Sequence, residues 1–260
     1  MFFLYMSFDF TWRLTLLSNK IIVQHPLHKS EFESDSLRTV QLVKANASKT
    51  GAKEAVALQF TFGNGRSYRI TQHEMPLPLS QILEVIVYQY QLSSSFEKLS
   101  ETVHHTQFGA GSRRPFSHYL DGESDVTVRS IDEICSWLKQ CKYVRDTELF
   151  DQRDFWQHPS QFEELQKGDC EDHALWAWRK LIELNIPAEL VVGRANWSES
   201  ESGAHAWVTY EENGRSYILE ATHKRQLIYP QETVQKQYHP WFSVDKNMQT
   251  YKFLPTASKS

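Results

Sequence analysis

Asn213-Gly214 lies between two runs of alternating apolar residues and constrains this chain more than any other feature. A two-residue type I′ turn needs positive φ at both central positions. Asn-Gly tolerates that, so the dipeptide predicts a tight β-hairpin. With the turn placed there, Glu212 faces Arg215, Tyr210 faces Tyr217, Val208 faces Leu219 and Ala206 faces Ala221. The apolar members then share one face, and a slip of one residue would turn them to the other. The second face carries His205, Trp207, Thr209, Ile218 and Glu220. Trp207 is expected opposite Glu220. His205 is a diagonal neighbour of Glu220, roughly 7–8 Å away along the backbone and nearer at the side chains. A base and an acid therefore meet on one face of a sheet. Thr209 and Thr222 read as polar neighbours with little part in any chemistry.

The segment upstream supplies a nucleophile. Lys167-Gly-Asp-Cys-Glu-Asp-His173 reads as a helix start, with Asp169 as N-cap and acids in the first turn, where the positive helix end favours them. Helical spacing puts Cys170, Ala174, Trp178 and Leu181 on one inward face. A thiol at the first helical position gains thiolate character from the helix N-terminus. Asp169, Glu171 and Asp172 oppose that, so a cationic partner is needed, and His205 is the expected one. In this reading Cys170 is the nucleophile, His205 its base, and Glu220 fixes the tautomer and stabilises the imidazolium. The Cys170 amide is the expected oxyanion donor. A zinc site of Cys170, His173 and His205 is the chemical rival, although no fourth ligand stands out.

The rest of the chain divides into four parts. Residues 1–75 read as a β-rich domain: Phe8, Phe10, Trp12, Leu14 and Leu16 alternate with polar residues, as do Val56, Leu58, Phe60 and Phe62 before Asn64-Gly65. The polar stretch 44–53 reads as loop. Residues 76–127 read as a helix capped by Ser80 followed by a linker, its 106–125 stretch being rich in Gly, Ser, Arg and Pro. Residues 128–245 form the catalytic domain, entered through a capping box at Ser130 and Glu133. Residues 246–260 read as a fraying tail. Cys135 recurs with Ile131, Ile134 and Leu138 at helical spacing and reads as core, as does Cys141. His173 and His223 read as local hydrogen-bonding residues.

Two-fifths of the residues are hydrophobic, enough for a core, and the net charge of −4 gives no reason to expect nucleic acid or an anionic membrane. No apolar run reaches the roughly 18 residues of a membrane span. Three cysteines make no disulfide framework. Without a basic n-region or cleavage site at the N-terminus, the expected location is the cytoplasm.

Four motifs together resemble the transglutaminase-like superfamily, in particular the bacterial transglutaminase-like cysteine peptidases. They are Asp154-Phe-Trp-Gln-His-Pro159, Lys167-Gly-Asp-Cys-Glu-Asp-His-Ala174, Gly203-Ala-His-Ala-Trp-Val208 and Tyr217-Ile-Leu-Glu-Ala-Thr222. The resemblance covers Tyr143 to His223, under a third of the chain, and leaves the N-terminal β-rich region unexplained. It implies an α+β fold with a papain-like core, a cysteine helix packed on an antiparallel sheet. It also implies a cysteine hydrolase or peptidase acting on a peptide or protein. The alternatives are a glutamine acyltransferase with the same residues and a non-catalytic peptide-binding module. Family members usually carry Asp as the acid, where this chain has Glu220. Trp156 and Gln157 match a motif implying contact with substrate or oxyanion, and Trp207 is expected to line the cleft. Some members hold calcium through acids matching Asp169 and Glu171. No other cofactor is expected.

Overall fold

The computed structural model describes residues 4–7, 13–25, 28–45, 55–71, 78–90, 92–197 and 202–258. They fall into two compact units, one of residues 1–97 with 254–260 and the other of residues 98–253.

In the first unit, β1 (Leu4–Ser7), β2 (Arg13–Leu16), β3 (Lys20–His25) and β4 (His28–Glu33) pair in sequence as an antiparallel sheet. Leu14 and Leu16 are buried as their alternation predicts; Phe8, Phe10 and Trp12 lie outside the described residues. Then β5 (Leu37–Ala45), β6 (Ala55–Phe62) and β7 (Ser67–Thr71) form antiparallel pairs, and residues 256–258 lie along β5. Lys44 and Ala45, expected in a loop, complete β5; residues 46–53 lie outside the described residues. Leu58, Phe60 and Phe62 of β6 are buried, and Gly65 takes φ +76° in the turn after them.

Helix α1 (Leu79–Tyr90) begins one residue before the Ser80 expected to cap it. The carbonyl of Pro78 accepts from the amides of Gln81 and Ile82, so the cap falls on the proline. Leu79, Ile82, Leu83 and Ile86 form its buried stripe. Strand β8 (Ser93–Ser100) follows.

The second unit opens with a long irregular segment broken only by short 3₁₀ turns at His105–Gln107 and Phe116–Tyr119. It buries Val103, Phe108, Phe116 and Tyr119 in that unit's core, so it is part of the domain and not a linker. Next come α2 (Ile131–Leu138), β9 (Lys142–Tyr143), α3 (Asp146–Leu149), α4 (Pro159–Leu165), β10 (Lys167–Gly168) and α5 (Cys170–Glu183). They are followed by β11 (Ala188–Asn196), β12 (Ser202–Glu212), β13 (Arg215–Leu219), β14 (Ile228–Pro230), α6 (Gln231–Val234), β15 (Tyr238–Asp245) and β16 (Thr250–Ser258). The sheet runs β14-β13-β12-β11-β15-β16, all antiparallel. Residues 246–258 do not fray: Thr250–Lys252 of β16 pair with β15, and Leu254 and Ala257 are buried. The fold is thus mixed, with antiparallel sheet dominant. No described helix is long and apolar enough to cross a membrane.

The hairpin follows its expected register: Glu212 opposes Arg215, Tyr210 opposes Tyr217 and Val208 opposes Leu219. Asn213 and Gly214 take φ values of +52° and +73°, the signs a type I′ turn demands. The ladder stops at Leu219, so the pairs Ala206–Ala221 and Trp207–Glu220 do not form. The Glu220 amide donates to the Leu227 carbonyl at 2.7 Å, on the β14 side.

Helix α5 packs on β11 and β12 and buries Ala174, Leu175, Trp176, Trp178 and Leu181. Its polar side is equally tied down. Lys180 is fully buried and donates to the Val126 carbonyl and to Ser124, and its Nζ lies 3.2 Å from Glu163 Oε1. Glu163 also accepts from Trp176 Nε1 at 2.7 Å and from the Asp125 amide at 2.9 Å. The Arg179 guanidinium donates to the carbonyls of Asp121 and Gly122. This network ties the 121–126 loop and α4 to α5. Glu163→Ala should cost about 3 kcal/mol, because it leaves an indole N–H unpaired and the buried ammonium to Glu183, 3.0 Å away. Glu163→Leu with Lys180→Met should cost much less. Denaturant midpoints of the two proteins check both values.

Candidate active site

The start of α5 is set by Asp172. Its Oδ1 accepts the Gln157 amide at 2.8 Å, and its Oδ2 accepts the Gln157 side-chain amide and, at 3.2 Å, the Asp169 amide. Asp169 and Asp172 form the capping box of the helix. Gly168 is needed beside them, since a Cβ there would meet Asp172 Oδ2 and come within 2.7 Å of Gln157 Nε2. The second amide hydrogen of Gln157 goes to the Lys167 carbonyl at 2.9 Å, and the residue is fully buried. Gln157 therefore holds the helix start and has no donor left for an oxyanion, contrary to the role its motif implied.

Cys170 follows at the first helical position, half-buried, while Cys135 and Cys141 are buried. Its thiol donates to Glu171 Oε2 at 3.2 Å and lies against the backbone amide of Ala206, the residue after His205. The hydrogen-bond partner of the thiol is thus Glu171 and not the imidazole. Burial, then Glu171 and Asp169, push the Cys170 thiol well above the ordinary thiol range. The acids of the first turn outweigh the helix N-terminus.

On β12, His205 is buried, and its Nε2 lies 2.8 Å from Glu220 Oε2. Glu220 is itself 1% exposed. Desolvation alone would raise a buried glutamate. Hydrogen bonds from His205, Thr222 and Tyr238 overcome it and hold Glu220 at about 2, so it is an acceptor. His205 must then donate from Nε2, which leaves Nδ1 as its basic nitrogen. Thr222 is no bystander: its hydroxyl and amide both donate to Glu220 Oε1, at 2.6 and 3.2 Å. The Tyr238 hydroxyl donates to Oε2 at 2.9 Å.

Trp207, expected at a cleft, is 1% exposed and packs with Val191, Ile218 and Tyr238. It lies parallel to the His205 ring with 6.3 Å between centroids. Trp156 is buried against Phe116 and Tyr119. The aromatics left open near the site are Trp197, edge-on to His205 at 5.2 Å, and Tyr143, whose strand pairs with β10 just ahead of Cys170. Neither stands in a motif, and only their exposure marks them. Gly193 lies opposite His205 at a bulge in β11. A Cβ there would meet the His239 carbonyl and come within 2.7 Å of the Trp207 ring.

The acids near Cys170 extend beyond Asp169 and Glu171. Oxygens of Asp146, Asp154 and Glu171 lie within 4.8 Å of one another, as do those of Asp146, Asp169 and Asp172. Asp146 Oδ1, Asp154 Oδ1 and Asp169 Oδ1 are buried with no hydrogen-bond partner. Partnerless buried carboxylate oxygens in a converging set suit a hard divalent cation such as calcium. Asp172 is excluded, since both its oxygens are taken. Asp146 and Asp154 lie outside the cysteine motif, and sequence gave no reason to add them. Among the described residues, Cys170, His173 and His205 do not form a converging ligand set for zinc. His205 Nε2 is hydrogen-bonded to Glu220, and fully buried His173 gives Nδ1 to the Asp169 carbonyl at 2.8 Å. Burial lowers His173 to about 3, and it serves locally, as does His223, whose Nδ1 bonds the Tyr229 hydroxyl.

Residues 154–253 match the family model of the CEP76 peptidase-like domain. The match makes this segment similar to a peptidase-like domain and extends over less than half of the chain. The structure of Legionella pneumophila LapG (EGTA-treated) is also similar, with 19% identity and a TM-score of 0.35, over 52% of this chain and 74% of that one. At that TM-score nothing further follows from it. No curated protein matches the chain.

Burial raises Asp146 to about 6, against an ordinary 3.8. A carboxyl raised on folding stabilises the fold below its unfolded value, and that contribution is lost as pH rises through the folded one. In metal-free protein, Asp146→Asn should therefore raise Tm by a few degrees at pH 7.5. The gain should vanish toward pH 4, where wild-type Asp146 keeps its proton. His173 titrates in the opposite sense, so the two proteins must be compared at each pH by calorimetry. A constant difference across that range would refute the assignment.

Proposed function

We propose that the second unit is a cysteine hydrolase cleaving peptide or related amide bonds, with Cys170 as nucleophile, His205 as base and Glu220 as the orienting acid. The observation that carries this reading is the buried His205–Glu220 pair at 2.8 Å, with the Cys170 thiol one residue along the strand at Ala206. In this mechanism the thiol exchanges Glu171 for the imidazole as its hydrogen-bond partner. His205 Nδ1 accepts the proton and the thiolate attacks the substrate carbonyl. The amine then leaves with the proton that His205 returns. Water activated by the same nitrogen opens the thioester; an amine in its place would give acyl transfer. The Cys170 amide, at the helix start, is the oxyanion donor in this reading. Trp197 and Tyr143, the exposed aromatics, take over the substrate contact expected of Trp156 and Trp207.

Calcium is part of the proposal. Asp146, Asp154, Asp169 and Glu171 would hold it, and when bound it would supply positive charge beside the thiol. Millimolar calcium should then raise Tm in wild type by mass action and leave Asp146→Asn unmoved. Equal shifts in both proteins would remove the site from the proposal.

Reactivity tests the nucleophile. In metal-free protein, Glu171→Gln removes the carboxyl that helps push the Cys170 thiol up, so iodoacetamide should alkylate Cys170 roughly tenfold faster at pH 7. Incubation with a peptide library, with and without an amine probe, should give cleaved or amine-tagged products by mass spectrometry, and Cys170→Ala should give none. Products that persist in Cys170→Ala, or a library left intact by alkylation-competent, calcium-loaded protein, would overturn the hydrolase reading in favour of a peptide-binding module.

A further inference from the structure

Glu220 brings more rotatable bonds to its task than a shorter acid would, and a buried side chain loses that freedom only if something holds it. Four donors do so. Oε2 accepts from His205 Nε2 at 2.8 Å and from the Tyr238 hydroxyl at 2.9 Å. Oε1 accepts from the Thr222 hydroxyl at 2.6 Å and the Thr222 amide at 3.2 Å. A carboxylate has about four lone-pair sites, so this one is saturated by protein. It can neither turn nor take a proton without breaking a bond.

Tyr238 comes from far along the chain. It lies at the start of β15, opposite Ala195 of β11, while Thr222 follows Glu220 by two residues. Its ring packs edge-on to Trp207 with centroids 5.1 Å apart, and Trp207 in turn lies parallel to His205. The hydroxyl and the ring therefore reach the imidazole by separate routes, one through Glu220 and one through Trp207. Tyr238 is 7% exposed, so water does not compete for its hydroxyl.

We propose that Tyr238 and Thr222 are positioning residues: their hydroxyls lock the Glu220 carboxylate, and through it hold His205 in the Nε2–H tautomer with Nδ1 turned to the reacting thiol. The proposal rests on the Cys170–His205 reading above, and the experiment separates the two.

The test is the pH profile of Cys170 alkylation by iodoacetamide in the full chain, with calcium present throughout, followed by mass spectrometry of the Cys170 peptide. Tyr238→Phe keeps the ring on Trp207 and removes only the hydroxyl. Thr222→Val keeps the shape and removes the other. Each should move the profile to higher pH and slow alkylation at pH 7 roughly tenfold, the worth of one hydrogen bond to a charged group. The limiting rate at high pH should stay at the wild-type value, because the thiolate itself is unchanged. Thr222→Ser restores a hydroxyl and should restore the profile. His205→Ala sets the floor. If His205→Ala shifts the profile and both hydroxyl deletions leave it in place, the positioning role is overturned. If His205→Ala itself leaves the profile unmoved, the dyad reading fails and takes the proposal with it. A purely structural role would lower Tm without moving the profile, and should Tyr238→Phe not fold, Thr222→Val decides alone.

Discussion

Everything at this site depends on one buried carboxylate, Asp172. Its oxygens take two N–H groups from Gln157 and one from Asp169, so a single side chain fixes where α5 begins and how the chain approaches it. Helix starts leave amide hydrogens unsatisfied, and a carboxylate is the strongest group for collecting them. Because the cap is also the residue before the cysteine, the geometry of the nucleophile follows from the geometry of the cap. The absence of a side chain at Gly168 is what lets Gln157 and Asp172 close over it.

A cost comes with that arrangement. The acids that suit the helix end in sequence surround a thiol that must lose a proton in the proposed reaction, and burial magnifies their repulsion. Asp172 shares in the conflict, since burial and its acidic neighbours push its carboxyl up, but N–H donors occupy both its oxygens. Asp146, Asp154 and Asp169 each keep one buried oxygen without a donor. The difference between neighbouring carboxylates is thus between one whose role is complete inside the protein and a group whose role is not. That contrast, and not the number of acids, points to a cation. On the far side of the strand the balance is reversed: Glu220 is as deeply buried, yet its donors keep it ionised.

The sequence was most informative where structure is local. The Asn213-Gly214 turn set the hairpin register down to individual pairs, because turn chemistry and period-2 alternation agree there. The cap at Asp169, the Ser130 cap and the stripe on α5 followed for the same reason, although the Glu133 side chain accepts the Arg129 amide and not that of Ser130. What escaped were contacts between segments far apart in the chain. Nothing periodic announces that Tyr238 will meet Glu220, or that Asp146 and Asp154 will join Glu171. Trp156, Gln157 and Trp207 were recognisable as special but assigned to substrate, since a motif does not say which way a side chain is spent. In the structure Gln157 spends its donors on the helix start and the two tryptophans spend their surface on the core. The 106–125 segment hid for another reason. Its Gly and Pro mark irregular backbone, but burial of Phe108, Phe116 and Tyr119 makes it part of the core.

The hairpin ladder ends one residue short of Glu220, and the site needs it to. Had β13 continued in register, Glu220 would have stood directly across from Trp207. Instead the chain turns away after Leu219: the Glu220 amide pairs with Leu227, and Lys224 binds the carbonyls of Leu138 and Ala221 to hold the turn. Leaving the ladder brings the Thr222 amide and hydroxyl round to the carboxylate, which a straight strand would have carried out of reach. The side chain can then lie along the sheet face toward His205 and still meet Tyr238 from β15. A regular strand would have delivered an acid to the correct face; the departure from it surrounds that acid with donors.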